Sequence, residues 1–248
     1  MIEPVRVAPR AAVALVTGAS RGLGRTLAGF LAGQGYAIIA TARGEADLSS
    51  VAREIQARGG TCEAIAGDVS DEAHRARLLE AARRLGGLHL LINNASDLGP
   101  TPLPSLSALP PDALRKVMEV NLVAPLSLLQ ETLPLLEASG GTVVNISSDA
   151  AVGGYPGWGA YGASKAALDL LSKTLAEELR GRRVAVVSVD PGDMRTKMHQ
   201  DAYPGQDISD RPLPDVTLPF FAWLFAQDAM RATGRRFQAQ SSVWEVAA

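Results

Sequence analysis

Along the chain, short apolar runs alternate with longer stretches in which apolar residues recur every three or four positions. The runs "AVALVT" (12–17), "YAIIAT" (36–41), "TCEAIA" (61–66), "LHLLIN" (88–93), "GTVVNIS" (141–147) and "VAVVSVD" (184–190) are nearly unbroken, as strands covered on both faces are. Between them, the three-to-four spacing predicts helices over 22–34, 46–58, 71–85, 111–138 and 160–180. Asp71 is a suitable cap for the third helix, and Pro110, Pro111 and Asp112 open the fourth. Pro125 and Pro134 inside the fourth predict a kink or an earlier stop. A last helix is expected near 215–230 and a short final strand near 235–239. Strands alternating with helices through right-handed crossovers make an α/β fold, a doubly wound parallel sheet with helices on both faces.

No repeat or linker interrupts the pattern, so residues 1–248 are expected to form a single domain. The least regular region is 192–219, "GDMRTKMHQDAYPGQDISDRPLPDVTLP". A loop of that length in a compact domain is expected to be a lid or a disordered segment. The opening residues, "MIEPVRVAPR", lack the pattern of a signal peptide and are expected to be a loose lead into the first strand.

Composition removes several classes of function. The 248 residues carry a formal net charge of −2 and show no basic stripe, so a nucleic-acid partner is not expected. The single cysteine, Cys62, permits no internal disulfide, which suits a reducing compartment and a cytoplasmic location. It sits in a strand pattern and is read as a small buried hydrophobe. His74, His89 and His199 are widely separated, so no metal is expected. No apolar run approaches membrane-spanning length, so no membrane partner is expected either.

The chemistry begins where the first strand runs into "TGASRGLG" (17–24). Gly18, Gly22 and Gly24 allow a tight turn and the close approach of a pyrophosphate, and the helix starting there presents free N–H groups to that anion. The spacing is G-x-x-x-G-x-G rather than the commoner G-x-G-x-x-G. The same letters contain G-x-S-x-G, a nucleophile elbow that would make Ser20 the nucleophile of a serine hydrolase with His199 downstream. A hydrolase elbow, however, follows several strands, and here it follows the first one. The other notable pair is Tyr161 and Lys165, four residues apart and so on one helix face.

Further short motifs fall at strand ends or on the long helices: "GDV" (67–69), "NNA" (93–95), "VN" (120–121), "NISS" (145–148), "YGASK" (161–165) and "DPG" (190–192). With "TGASRGLG", this ordered set resembles the short-chain dehydrogenase/reductase family in its unextended branch. The resemblance spans most of the chain and thins after about residue 195. It implies a Rossmann-like sheet of about seven strands in the order 3-2-1-4-5-6-7, and an oxidoreductase that interconverts a carbonyl and an alcohol by hydride transfer. A small-molecule carbonyl or alcohol is the implied substrate.

Residue by residue, the resemblance makes Tyr161 the general acid/base. Lys165 would lower its pKa from the ordinary value of about 10. Ser148 is the implied substrate-orienting donor, ahead of Ser147, and Asn121 supports a water relay behind the lysine. Cofactor contacts are implied for Gly18, Ser20, Arg21, Gly22, Leu23, Gly24, Arg43, Asp68, Val69, Asn94, Ala95, Tyr161, Lys165, Pro191, Gly192 and Thr196, and Asn93 is a central-strand stabiliser with a supporting role at the cofactor. Ser96 stands where the family usually has glycine, which affects the expected loop shape. The substrate wall is expected from 96–106, 149–160 and 192–219, with Tyr155, Trp158, Met194, Met198, Tyr203, Asp97 and Asp149 as contacts.

In NAD-binding relatives an acidic residue ends the second strand. Here Ala42 takes that place and Arg43 follows, while Arg21 lies in the glycine turn. Two cations and no carboxylate suit the 2′-phosphate of NADP. Glu45 reaching back to the ribose, with both arginines solvated, is the reading that would give NAD instead. In relatives the helices at 111–138 and 160–180 pair across a two-fold axis. Leu126, Leu129, Leu133, Leu168, Leu171 and Leu175 are accordingly expected to build a homodimer or homotetramer. A non-enzymatic NADP-binding regulatory protein on the same fold is the alternative from another class.

Overall fold

A computed structural model describes residues 11–246. The lead expected over residues 1–10 lies outside the described residues. Seven strands form one sheet in the order β3-β2-β1-β4-β5-β6-β7. They are β1 (Val13–Thr17), β2 (Ala37–Ala42), β3 (Cys62–Ala66), β4 (Leu90–Asn93), β5 (Thr142–Ile146), β6 (Ala185–Asp190) and β7 (Arg236–Gln238). Every pairing is parallel, with Leu15 opposite both Ile39 and Leu91 at the centre. Strand residues alternate between two apolar layers. Ala14, Val16, Ile38, Ile92 and Val144 join one, and Val13, Leu15, Ile39, Leu91 and Val143 the other. That is why the strands read as unbroken apolar runs.

Helices α1 (Gly22–Gly33) and α2 (Glu45–Ala57) cover the first layer with Leu27, Leu31, Leu48 and Ile55. The second is covered by α3 (Glu72–Leu85), α5 (Ala124–Ser139) and α6 (Gly159–Leu179), with Leu78, Leu128, Leu136, Ala176 and Leu179. Asp71 caps α3 by accepting from Ala73 N at 3.0 Å. The strand order reverses between β1 and β4, so the loops leaving these strands diverge and open a crevice at their C-terminal ends.

Three expectations need correction. The stretch 111–138 is not one regular helix: α4 (Pro111–Met118) passes into a π-helical turn over Glu119–Val123 before α5 begins. Pro125 has no N–H to return to the carbonyl one turn back, and the wider turn lies just ahead of it. α5 then runs through Pro134 without stopping. The region 192–219 is not a structureless loop, because α7 (Lys197–Ala202) and a 3₁₀ segment at Pro214–Thr217 interrupt it. The final helix is divided into α8 (Leu218–Ala226) and α9 (Ala229–Ala232), with Asp228 capping the second piece by accepting from Met230 N.

Candidate active site

A cleft of about 880 Å³ opens at the C-terminal ends of the strands. One half is formed by the turn after β1. Gly18 and Gly22 have positive φ values of 65° and 53°. A Cβ on Gly18 would lie 2.7 Å from Asn94 Nδ2. A Cβ on Gly24 would lie 2.3 Å from the Gly18 carbonyl oxygen. Gly24 does not line the cleft wall itself; its close approach to the Gly18 carbonyl keeps the turn tight against α1. The turn is braced from β4. Thr17 Oγ1 accepts from the backbone N–H groups of Asn94 and Ala95, both at 2.9 Å, and Asn94 Nδ2 donates to Thr17 O at 2.8 Å. Asn93 points elsewhere: it donates to Asn145 Oδ1 at 2.8 Å inside the sheet and does not line the cleft. That bond ties β4 to β5 beneath the cleft.

Ser20, Arg21, Gly22 and Leu23 line the cleft at the start of α1, whose first turn receives no side-chain cap. Those free N–H groups, at the positive end of the helix, suit a phosphate. Arg21 and Arg43 are exposed on the same wall, and Ala42 ends β2. Glu45 opens α2 away from the cleft wall, so no carboxylate occupies the end of β2. Asp68 and Val69 follow β3 on this side. Burial pushes the Asp68 carboxyl upward, but hydrogen bonds from Ser70 and the charge of Arg43 hold it below its usual range. With Asn94, Ala95, Pro191, Gly192 and Thr196 also lining the cleft, this half fits a dinucleotide. Among the described residues no hydrogen bond joins Ser20 to a histidine, so the hydrolase pairing with His199 is not formed.

The other half holds Tyr161 and Lys165, both buried on α6. Lys165 Nζ donates to Ile146 O at 2.7 Å and lies 5.5 Å from the Tyr161 ring centroid. The expected lowering of the tyrosine pKa is reversed. Burial raises Tyr161 to about 12, with the Ser148 hydroxyl pulling downward and Asp190 and Asp149 pushing upward. Burial also lowers Lys165 to about 8, opposed by Asp169. The cause is desolvation of the charged form, which here outweighs the neighbouring charges.

Ser148 begins the 3₁₀ turn Asp149–Ala151; its Oγ donates to Asp149 Oδ1 at 3.0 Å and accepts from Ala150 N at 3.1 Å. Asn121, fully buried in the π-helical turn, stands behind the wall. Its Oδ1 accepts from Asp97 N at 2.7 Å, and its Nδ2 donates to Asp97 O and Ser164 Oγ, both at 2.9 Å. Ser164 in turn donates to Tyr161 O at 2.7 Å. No hydrogen bond joins Asn121 to Lys165 among the described residues. Trp158 packs edge-on to Tyr161 at 5.5 Å and tilts against Tyr203 at 6.1 Å. Tyr155, Met194, Met198, Asp97 and Asp149 line the cleft with them.

Sequence reasoning passed over Arg236 on β7. It donates to Ser148 O at 2.7 Å, Asp169 Oδ2 at 2.9 Å and Asp190 Oδ2 at 3.1 Å. Its place follows from the register of a three-residue strand, which no local pattern announces. Ser164 was also passed over, although its spacing of three from Tyr161 puts it within reach of the backbone turn behind that residue.

A family model described as short chain dehydrogenase matches residues 12–207. An uncharacterized oxidoreductase of Escherichia coli (strain K12), YciK, is 34% identical over 242 residues, covering 92% of this chain and 91% of its own. A solved short-chain dehydrogenase of Shigella flexneri, complexed with NADP, is similar at TM-score 0.84 and 33% identity, over 93% of this chain and 97% of its own. Another from Escherichia coli CFT073, complexed with NADPH, is similar at TM-score 0.83 and 33% identity, over 93% and 97% of the two chains.

Proposed function

The chain belongs to the short-chain dehydrogenase family, and from that premise we propose that it is an NADP(H)-dependent oxidoreductase interconverting a carbonyl and an alcohol. The observation that carries this reading is the meeting, in one cleft, of a positive-φ glycine turn and the buried pair Tyr161 and Lys165. NADPH, when bound, supplies the hydride for the carbonyl carbon. Gly18, Gly22 and the first N–H groups of α1 hold the pyrophosphate, and Arg21 and Arg43 hold the 2′-phosphate. Two of the similar solved structures contain NADP or NADPH, which supports that choice.

Tyr161 gives its phenolic proton to the carbonyl oxygen. A pKa held near 12 keeps the phenol intact at neutral pH, the form needed for reduction. Ser148 Oγ turns from Asp149 to the same oxygen and stabilises the charge that develops there. Lys165 fixes the ribose beside Tyr161, and Asn121 holds the backbone of both walls in register. Trp158, Tyr203 and Met198 give the substrate an apolar seat. The reading is tested by following NADPH oxidation across ketones, aldehydes and quinones. Turnover of any of these classes supports it. Tight NADPH binding with no turnover would turn it toward a regulatory nucleotide-binding protein, and ester hydrolysis without nucleotide toward a hydrolase.

The chain is also proposed to self-associate through α5 and α6. Leu129 and Leu168 are buried against their own subunit and drop out of the expected interface, but Val123 and Leu170 face outward at 41% and 67% exposure. Light scattering at micromolar concentration reads the outcome, and a purely monomeric species would overturn it.

A further inference from the structure

Between β3 and α3 the chain makes the turn that brings Asp68 and Val69 to the cleft wall. That turn is held from behind by a side chain of α3. Arg75, with 9% of its side chain exposed, turns back beneath it, and its Nη1 donates to Val69 O and Ser70 O, both at 3.0 Å. Nε of the same guanidinium donates to Glu131 Oε1 on α5 at 2.8 Å. The peptide joining Val69 to Ser70 is thus gripped on both edges. Its carbonyl accepts from Arg75, and its N–H, that of Ser70, donates to Asp68 Oδ1 at 3.0 Å. The Ser70 hydroxyl donates to the same oxygen at 2.7 Å. Contacts therefore run without a break from the guanidinium, through one peptide plane, to a carboxylate on the cleft wall. A buried carbonyl without a donor is costly, and the planar fork of an arginine satisfies these two while its charge is paired elsewhere.

We infer that Arg75 is a positioning residue for the adenosine half of the nucleotide, setting the shape of the Asp68–Val69 wall from a place outside the cleft. This rests on the proposed NADP(H) reading. With the pyrophosphate at the glycine turn and the 2′-phosphate at Arg21 and Arg43, the adenosine lies on the β2–β3 side, against Asp68 and Val69. Arg75 itself does not line the cleft, so its effect passes through those two residues. The entrance to the turn is anchored separately. Arg77 Nη2 donates to Ala66 O at 2.9 Å, and Gly67 N donates to Ala42 O at 3.0 Å. Loss of Arg75 therefore loosens residues 68–70 and leaves the pairing of β2 with β3 intact. The nicotinamide half meets walls from β5, β6 and α6, and Arg75 makes no hydrogen bond to any of these.

The test is calorimetric titration with the two halves of the nucleotide: adenosine 2′,5′-bisphosphate and reduced nicotinamide mononucleotide. Arg75→Met is expected to weaken the first by about tenfold and to leave the second within about twofold of wild type. Arg75→Lys, with one ammonium in place of a fork, is expected to recover part of the loss, to about threefold. Circular dichroism checks folding, and Arg75→Lys is read alone if Arg75→Met does not fold. A folded variant that binds adenosine 2′,5′-bisphosphate as wild type does, or that loses both halves alike, overturns the inference. So does a Glu131→Gln loss as large as that of Arg75→Met, because it would place the effect in the pairing of α3 with α5 and not in the turn. Failure of the proposed function shows separately, in the wild type itself: a protein that binds neither NADPH nor adenosine 2′,5′-bisphosphate overturns that reading and this inference with it.

Discussion

Beside β1, β2 and β3, the wall of the cleft is largely main chain: positive-φ glycines, the first turn of α1 and the backbone of the Asp68–Val69 turn. Beside β5 and β6, the wall is largely side chain: Tyr161, Lys165 and Ser148, closed over by Trp158 and Tyr203. The first half tolerates little change in shape, because atoms such as the Gly18 carbonyl and Asn94 Nδ2 already occupy the space a new side chain would need. The second half is set by which groups are buried and which are paired. A phosphate cradle can thus be specified by geometry alone, whereas a proton donor depends on desolvation and neighbours.

The largest effect is expected in the side-chain half. Tyr161→Phe keeps the ring and its packing on Trp158 but removes the proton. Turnover should fall by about 10²–10⁴-fold while NADPH affinity, read by fluorescence titration, stays near wild type. A variant that loses nucleotide binding in step with turnover would show that the two halves are not separable in this way.

The main-chain half is broken instead by Gly24→Ala. The new Cβ would meet the Gly18 carbonyl at 2.3 Å, and neither the turn nor the helix can yield without moving backbone. Overpacking of this kind costs about 1–3 kcal/mol and should also weaken NADPH. Gly154→Ala, on the loop between β5 and α6, is the control: nothing lies within 4 Å of its new Cβ. Thermal unfolding of the two variants side by side should show a loss for the first and almost none for the second.

How much of each half could be read from the sequence follows the same division. The strands and the glycine turn were legible, because apolar runs and glycine spacing are local signals of backbone geometry, whereas the strand order was implied only by the family resemblance. Ala42 at the end of β2 was placed correctly for the same reason. What escaped depended on distance in the fold. Arg236 reaches Ser148 O only through the pairing of β7 with β6. The ionisation of Tyr161 was misread because the spacing to Lys165 shows that the two share a helix face, not how deeply both are buried. The π-helical turn that aims Asn121 at Asp97 was likewise invisible, since Pro125 announces an irregularity without saying which kind.

A smaller effect probes charge on the main-chain half. Arg43 and Arg21 are exposed, so each hydrogen bond to a 2′-phosphate works against solvent screening. Arg43→Ala should weaken NADPH by about tenfold and leave NADH nearly unchanged. Ala42→Asp should act in the opposite sense, repelling the phosphate and admitting NADH. The ratio of kcat/KM for the two nucleotides is the measurement, and an Arg43→Ala ratio equal to wild type would remove Arg43 from cofactor choice.

The smallest expected effect is a stability change with pH, and it isolates the burial that sets the side-chain half. Lys165 has a pKa of about 8 in the folded protein against 10.5 for an exposed lysine, because burial penalises its charge. Between those two values the unfolded chain binds a proton that the folded chain has released. Stability contributed by Lys165 therefore rises with pH across that window and is flat below it. Tyr161 works the other way at the upper end: its folded pKa of about 12 exceeds the ordinary 10.0, so its contribution is lost as pH climbs above 10. The clean interval is from about pH 8 to about pH 10, where only the lysine of this pair titrates differently in the two states. Lys165→Met keeps the length of the side chain and removes the charge. Across that interval the wild type should gain on the order of 1 kcal/mol relative to Lys165→Met, about 2–4 °C in unfolding midpoint. Parallel curves for the two proteins would mean that Lys165 keeps an ordinary lysine pKa. The Ile146 carbonyl and Asp169 would then be compensating its burial in full.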